Sequence, residues 1–455
     1  MSLYDIPSVQ AEINDLGMRI IAPAANPKVT VLGVTNNTAV DVNNPYLLSS
    51  NADIQKFANA DGSPSEFSKA LSEVYAGGGE NANVEAVIVS TTTGIDADAR
   101  YVALDTTYAT LLNHSLDIVN LPDVGADTTL TGTGRNFAYQ LAKFCYDSTI
   151  NYQGVIGTIG VESLLGNITG VPTLTQTADW VTALAAFDTS GIRGSDFTIY
   201  DGVTEVTGDH IPDTYAFYAT SDGSIPVGTP PTTDPVVVTD VKTNPVDIGA
   251  YISVTAMHAA ISSPTARTLY PEVGYYFHNG SSAYAGLISS TPYYQGTTNR
   301  VLPGSQPSRD LSLSQLETLS LARFVTLKTR PDGYKITEGC TGAYNISQYY
   351  KSDFTKLSTV RIVHEAIAEV RRVADPFIGL NNNATNRGAL EAEIDNALQD
   401  MVKVGALNYG DFDLISTSSM QALGAIRVEL ELDVAIEIDT ITTSIALVPP
   451  GTMGT

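Results

Sequence analysis

The sequence predicts a multidomain α/β protein, and three observations carry that expectation. The chain has 455 residues, more than one simple core organises. From about residue 96 to residue 200 strand-like and helical stretches alternate, the order that builds a doubly wound sheet. Beyond residue 340 two helices of clear periodicity lead into one alternating strand.

In chain order, Val9, Ala11 and Ile13 alternate with polar residues in a short strand, fenced off by Pro23-Ala24-Ala25-Asn26-Pro27. Residues 1–27 therefore read as an arm that can leave its own domain and add to another sheet. A unit over 28–95 follows, with strands at Lys28 to Val34 and Val84 to Ser90 around a helix near Pro64 to Tyr75. Next come a strand at Leu116 to Leu121, a helix at Arg135 to Tyr146 and a strand at Gly154 to Gly160. Residues 201–247 are rich in Thr, Pro, Asp and Gly, which predicts a β-rich or loop insertion at the periphery. Helical periodicity returns at Ile248 to Ala260 and at Leu311 to Phe324, followed by a hairpin pairing Val325–Lys328 with Tyr334–Thr337 across Arg330-Pro331-Asp332-Gly333.

The C-terminal part carries the sharpest patterns. Val360, Val363, Ile367 and Val370 share one face of a helix from Ser358 to Arg372, with Arg361, Glu365, Glu369 and Arg372 elsewhere. Asp375-Pro376 stops it, because the proline ring disfavours helix at the residue before. A second helix from about Asn386 to Val404 turns Leu390, Ile394, Leu398 and Met401 inward and ends at Gly405. From Ile426 to Ile438 every even position is apolar, among them Val428, Leu430 and Leu432, so one face of a strand is buried. At about 3.4 Å per residue it would run about 40 Å, long enough that its edge must bend, be covered or pair with another chain. A second apolar strand, including Ile445 and Leu447, follows at Ile441 to Val448.

Composition excludes several roles. Forty-nine acids against 24 bases give a net charge of -25, which argues against nucleic acid as a partner. No apolar run approaches the ~18 residues of a membrane span, and Met1 to Pro7 has neither the basic nor the apolar region of a signal peptide. Cys145 and Cys340 have no metal or redox spacing and read as buried thiols, which suits a reducing cytoplasm.

Catalytic patterns are missing in the same way. His364-Glu365 opens like a zinc helix but lacks the second histidine one turn on, so His364 reads as a helix-surface residue. Thr131-Gly132-Thr133-Gly134-Arg135 lacks the lysine of a phosphate loop. Asp96-Ala97-Asp98 and Asp411-Phe412-Asp413 lack the glycine and distal glutamate of a calcium loop and read as solvated acids. The serines at 416–419 have no nucleophile elbow. No catalytic, cofactor or metal residue is assigned.

One family has this order of segments. Leu311 to Phe324, then Asp332-Gly333-Tyr334-Lys335-Ile336 with Gly339-Cys340-Thr341, then Tyr349-Tyr350-Lys351 leading into Thr359-Val360-Arg361, run on through Asp375-Pro376-Phe377 and Val404-Gly405-Ala406-Leu407 to the closing strand. This resembles the tail sheath proteins of contractile bacteriophages and related injection machines. The likeness is fullest over roughly residues 250–448, extends more weakly to the N-terminal arm and first unit, and does not include residues 201–247; the family's usual tryptophan-bearing patterns are absent, the only tryptophan being Trp180.

The resemblance implies a non-enzymatic structural subunit of a virion tail, assembled in the bacterial host cytoplasm. It implies a homo-oligomer of stacked six-membered rings around a tail tube, capped by baseplate and terminator proteins and contracting to drive the tube through a host envelope. An inner α+β domain is built from both chain ends (28–95 and 341–455), and a subtilisin-like α/β domain over 96–340 lies outside with the insertion at 201–247. Terminal strands exchange between neighbours, which assigns Val9, Ala11, Ile13, Ile426, Val428, Leu430, Leu432, Ile445 and Leu447 to inter-subunit pairing. Residues 351–372 hold five bases against three acids in an acidic chain, so Lys351, Lys356, Arg361, Arg371 and Arg372 are expected to face an acidic tube, with intrahelical pairs such as Arg361 with Glu365 as the competing explanation. Two other readings stay open: a tube or baseplate protein of the same tail, and an α/β hydrolase or cofactor-binding enzyme on residues 96–200.

Overall fold

The computed structural model describes residues 27–438 except 93, 127, 129, 131–136, 152–153, 162–196, 202–203, 207–245, 258, 262–276, 308–309, 322, 344, 347–349 and 352. The expected arm strand at Val9 to Ile13, the second apolar strand with Ile445 and Leu447, and most of the 201–247 insertion lie outside the described residues. At the insertion's margins Phe197–Asp201 pairs antiparallel with Thr204–Val206 and with Val246–Asp247.

Seven strands form one sheet. They are β1 (Val29–Val34), β2 (Pro45–Leu47), β3 (Val84–Ser90), β4 (Ile118–Gly125), β5 (Ile156–Gly160), β6 (Ile252–Thr255) and β7 (Phe324–Val325), in the order β7-β6-β5-β4-β1-β3-β2. All neighbours are parallel except β2, which runs antiparallel on the edge. Helices α1 (Glu66–Gly78) and α4 (Ser281–Ser290) cover one face, while α2 (Ala97–Leu111), α3 (Phe137–Asn151) and α5 (Leu313–Leu321) cover the other. The two-residue period of the strands divides the core between these layers. In β3, Val87 and Val89 join the α2/α3 side and Ala86 and Ile88 the α1/α4 side. Strands buried on both faces read as continuous apolar runs, as β1 and β3 do.

This sheet corrects two expectations. The boundary at residues 95 and 96 does not separate two sheets, because β1 lies between β3 and β4 and so is bonded to strands from both sides of it. Ile248 to Ala260 is not a helix: after a short 3-10 turn at Ile248–Tyr251 it becomes the buried strand β6. A short apolar run buried on all sides has no periodicity that separates strand from helix, and the β-branched Ile252, Val254 and Thr255 decide it.

Helices α1 and α4 cross at backbone contact. A Cβ on Gly77 would lie 1.9 Å from the Ala283 carbonyl oxygen, and one on Gly286 2.1 Å from that of Val74. By contrast nothing lies within 4 Å of a Cβ at Gly388, in an exposed turn of the later helix Ala384–Lys403. The same substitution should therefore have opposite signs: Gly286→Ala is expected to destabilise by about 1–3 kcal/mol through overpacking, and Gly388→Ala to stabilise by about 0.5–1 kcal/mol through helix propensity. Urea midpoints of the two variants check this, and a stabilising Gly286→Ala would refute the close crossing.

A hairpin, β8 (Leu327–Arg330) with β9 (Gly333–Ile336), closes the sheet body and sits within two residues of the expected position. The C-terminal module then follows: α6 (Leu357–Ala374), α7 (Ala384–Lys403), β10 (Leu407–Ile415), a short α8 (Ser418–Ala422) and β11 (Arg427–Val434). Asn383 caps α7 by accepting from Asn386 N at 2.8 Å, and Gly405 ends it at φ 77 as anticipated. The module has its own core, in which Ile362, Val363, Ile367, Ile394, Leu398, Met401 and Leu432 meet.

Candidate assembly surface

The expected long strand is shorter and has a partner in its own subunit. β11 runs over Arg427–Val434 and pairs antiparallel with β10, placing Leu432 opposite Gly410, Leu430 opposite Phe412 and Val428 opposite Leu414. Its apolar face lies on the helices, with Leu432 buried and Ile426, Val428 and Val434 packed beside it. Residues 427–434 thus bond at home along one edge, which corrects the expectation that this strand is satisfied only by neighbours. β10 itself was missed in the sequence, where Asp411 and Asp413 read as loop acids. Alternation of Phe412 and Leu414 with Asp411 and Asp413 was the available signal.

Among the described residues this ribbon has two strands only, so the outer edges of β10 and β11 carry backbone donors and acceptors with no sheet partner. Ile436 and Ile438 continue the apolar alternation past the end of β10 and are 71% and 80% exposed. Both features lie at the C-terminal end of the described chain. At its other end the root of the N-terminal segment is fixed. Lys28 Nζ lies 3.2 Å from Glu85 Oε1, which is 2.9 Å from His114 Nε2, while Thr30 donates to Glu85 Oε2 at 2.9 Å.

The five bases assigned to a tube surface separate. Arg361 is buried: Nη2 donates to the Thr291 carbonyl at 2.6 Å and Nη1 to that of Pro292 at 3.4 Å, and Thr291 is the C-cap of α4. Arg371, also buried, donates from Nη2 to the carbonyl of Ile150 in the last turn of α3 at 3.1 Å. Both arginines complete the carbonyl ends of other helices, where the backbone lacks acceptors' partners and the dipole favours a cation. They hold the module to the sheet body and do not form an outward face. Lys356, largely covered, is paired to Glu338 at 2.7 Å. Arg372 is exposed but paired with Glu369 at 2.6 Å, and the side chain of Lys351 is outside the described set. Arg361 and Arg371 on α6 thus point into the protein.

His364 is corrected in the same way. It is buried, stacked on Tyr251 with ring centroids 5.6 Å apart, and packed so closely on Gly154 that a Cβ there would lie 2.0 Å from His364 Cβ. Burial pulls it down to about 3, so it is neutral at physiological pH. Its neighbour Glu365 is pushed up to about 7 by burial first, then by Glu369 and Asp117. Asp96, weighed as a calcium ligand, is the N-cap of α2 and accepts from Ala99 N at 2.7 Å. Cys145 and Cys340 are buried thiols, not joined in a disulfide. Among the described residues no cluster of three or more His, Cys, Asp or Glu side chains is placed to hold a metal, and no helix is long and apolar enough to cross a membrane.

A whole-chain fold of this kind is already known in solved structures. The chain aligns over 98% of its length with 98% of the sheath of the extracellular contractile injection system PVC in its contracted state, at a TM-score of 0.56 and 11% identity. It aligns as fully with the contracted helical sheath of the anti-feeding prophage, covering 98% of this chain and 99% of that one at 0.56 and 12%. A sheath tail protein from Listeria innocua matches over 92% of this chain and 94% of its own at 0.54 and 9%. The chain has the contractile sheath fold. No family model and no curated protein matches the sequence. Among the described residues of this fold, the two-stranded β10–β11 ribbon keeps both outer edges open.

Proposed function

We propose that this chain is the structural subunit of a contractile tail sheath, polymerising helically with copies of itself around a tail tube. The reading rests on one observation above others: a sheath fold spanning nearly the whole chain, whose C-terminal ribbon has two unpaired edges among the described residues. In it, the segment around Val9, Ala11 and Ile13 and the segment around Ile445 and Leu447 add as strands to the β10–β11 ribbons of neighbouring subunits. Strand addition supplies main-chain hydrogen bonds, with alternate side chains filling pockets, and links copies that rotate against each other. Ile426, Val428, Leu430 and Leu432 then serve as the receiving platform. Stacked hexameric rings, a tube, baseplate and terminator proteins as partners, assembly in a host cytoplasm and a subtilisin-like outer domain belong to the same reading.

Two deletions test it, removal of residues 1–26 and removal of residues 439–455. Each truncated chain is expected to stay folded and monomeric by circular dichroism and sedimentation, while the full chain forms tubes visible by electron microscopy. Tubes from both truncated chains, indistinguishable from those of the full chain, would overturn strand exchange.

A further inference from the structure

Two ribbons in this subunit, one solvent-exposed and one part-buried, carry like charges set directly across their strands, and the two ribbons have opposite sign. On the solvent face of β10–β11, Asp411 stands opposite Glu431, Asp413 opposite Glu429 and Tyr409 opposite Asp433. All five acids are exposed, and the one base on that face, Arg427, pairs with Glu429 at 2.8 Å. On the hairpin, Lys328 stands opposite Lys335, and Arg330 shares their face two residues along β8. The segment 323–335 holds four bases against one acid in a chain where acids outnumber bases two to one. Lys328 is held below the usual lysine range by burial and by the charges of Arg330 and Lys335, so these cations act on one another.

Like charges opposed across strands weaken each ribbon by itself. Neither ribbon finds its counter-charge on the other within the subunit. Asp411, Asp413 and Glu431 make no ion pair among the described residues, and the hairpin's one ion pair is local, Lys335 with Asp332 at 2.6 Å. The ribbons also belong to different cores: Leu327 and Ile336 bury the hairpin's other face in the sheet body, whereas Leu432 buries that of the acidic ribbon in the C-terminal module. The geometry points to a head-to-tail contact in which the acidic face of β10–β11 docks on the basic hairpin β8–β9 of a second copy of this chain. Each ribbon is dominated by one sign, so two acidic faces or two hairpins repel and the docking has a direction. A contact between unlike patches does not close on itself as a two-fold pair does and continues into rings or helices. The contact is separate from strand addition, which uses the ribbon's edges and leaves this face available. It rests on the sheath reading only in requiring that copies associate.

Charge exchange tests it with the full chain alone, without any tube. Asp411→Lys with Glu431→Lys keeps the two positions alike in charge, so the ribbon's own stability changes little while that cross-strand pair inverts in sign and the face goes from five acids and one base to three of each. Lys328→Glu with Arg330→Glu inverts the hairpin. Each double variant is expected to need at least about tenfold more protein than wild type to assemble, read by sedimentation velocity and electron microscopy at low salt, where charged contacts are least screened. The chain carrying all four changes is expected to regain part of that loss, as is an equimolar mixture of the two double variants, because the exchanged positions then meet opposite signs. Asp411→Lys alone is expected to raise the melting temperature, by pairing with Glu431, while weakening assembly; a merely structural role would move both the same way. Double variants that assemble like wild type, or a fourfold variant as defective as either parent, would overturn the contact while leaving the sheath reading intact. A wild type that stays monomeric at every concentration would overturn both.

Discussion

Arg361→Ala is expected to cost about 2–4 kcal/mol of folding stability, because it removes two hydrogen bonds from a charged donor and leaves the Thr291 and Pro292 carbonyls buried without them. Burial holds Arg361 down to about 10, still charged at neutral pH, so the side chain is a desolvated cation whose compensation comes from the carbonyl oxygens it donates to. Its position explains the size of the effect. α6 belongs to both cores at once: Leu357 and Val360 pack with the sheet body, and Ile362, Val363 and Ile367 with the C-terminal module. Arg361 lies at the change-over and bonds to the C-terminal end of α4. Arg361→Lys, which keeps charge but loses the planar fork, should recover part of the loss. Arg372→Ala, at an exposed i,i+3 pair, should change stability by less than about 1 kcal/mol. Guanidinium midpoints of the three variants rank them, and an Arg361→Ala chain as stable as Arg372→Ala would return Arg361 to the surface.

This ranking also marks where the sequence stopped being legible. The period of α6 was readable, since Val360, Val363, Ile367 and Val370 repeat at helical spacing and the helix forms over nearly the expected residues. What its polar stripe faces was not. A stripe of Arg and His looks the same whether water or the carbonyl ends of α3 and α4 lie beyond it, and only the tertiary placement of those ends decides. For the same reason β3 was found at its full length from local pattern, while β6 was mistaken for a helix: its identity depends on a slot between β5 and β7 in a sheet completed by distant residues. The ribbon shows a third limit. The alternation of β11 was plain, but its partner β10 carries Gly410 and two aspartates, and its pairing is a long-range fact. Local periodicity reports which face is apolar; it does not report what covers the other.

Between pH 4.5 and 6.5 two neighbouring residues on α6 are expected to oppose each other so closely that only their variants reveal them. His364 falls from an unfolded value of 6.5 to about 3 in the folded chain, so the unfolded state binds the extra proton and His364 makes stability rise with pH across this window. Glu365 rises from 4.5 to about 7, so the folded state holds the extra proton and stability from this group, complete below pH 4.5, is lost as pH climbs through 7. Each slope approaches about 1.4 kcal/mol per pH unit, and the signs are opposite. Glu365→Gln should therefore add a positive slope of about 1.4 kcal/mol per pH unit relative to wild type in this window, and stabilise the protein by about 2–3 kcal/mol at pH 8, where the wild-type carboxylate is ionised against Glu369 and Asp117. His364→Gln should tilt the profile the other way. Urea titrations at half-unit pH steps give both differences directly. Parallel profiles for wild type and Glu365→Gln would mean that Glu365 is ionised in the folded chain at pH 5, and that the α6 seam between module and sheet body is open to water.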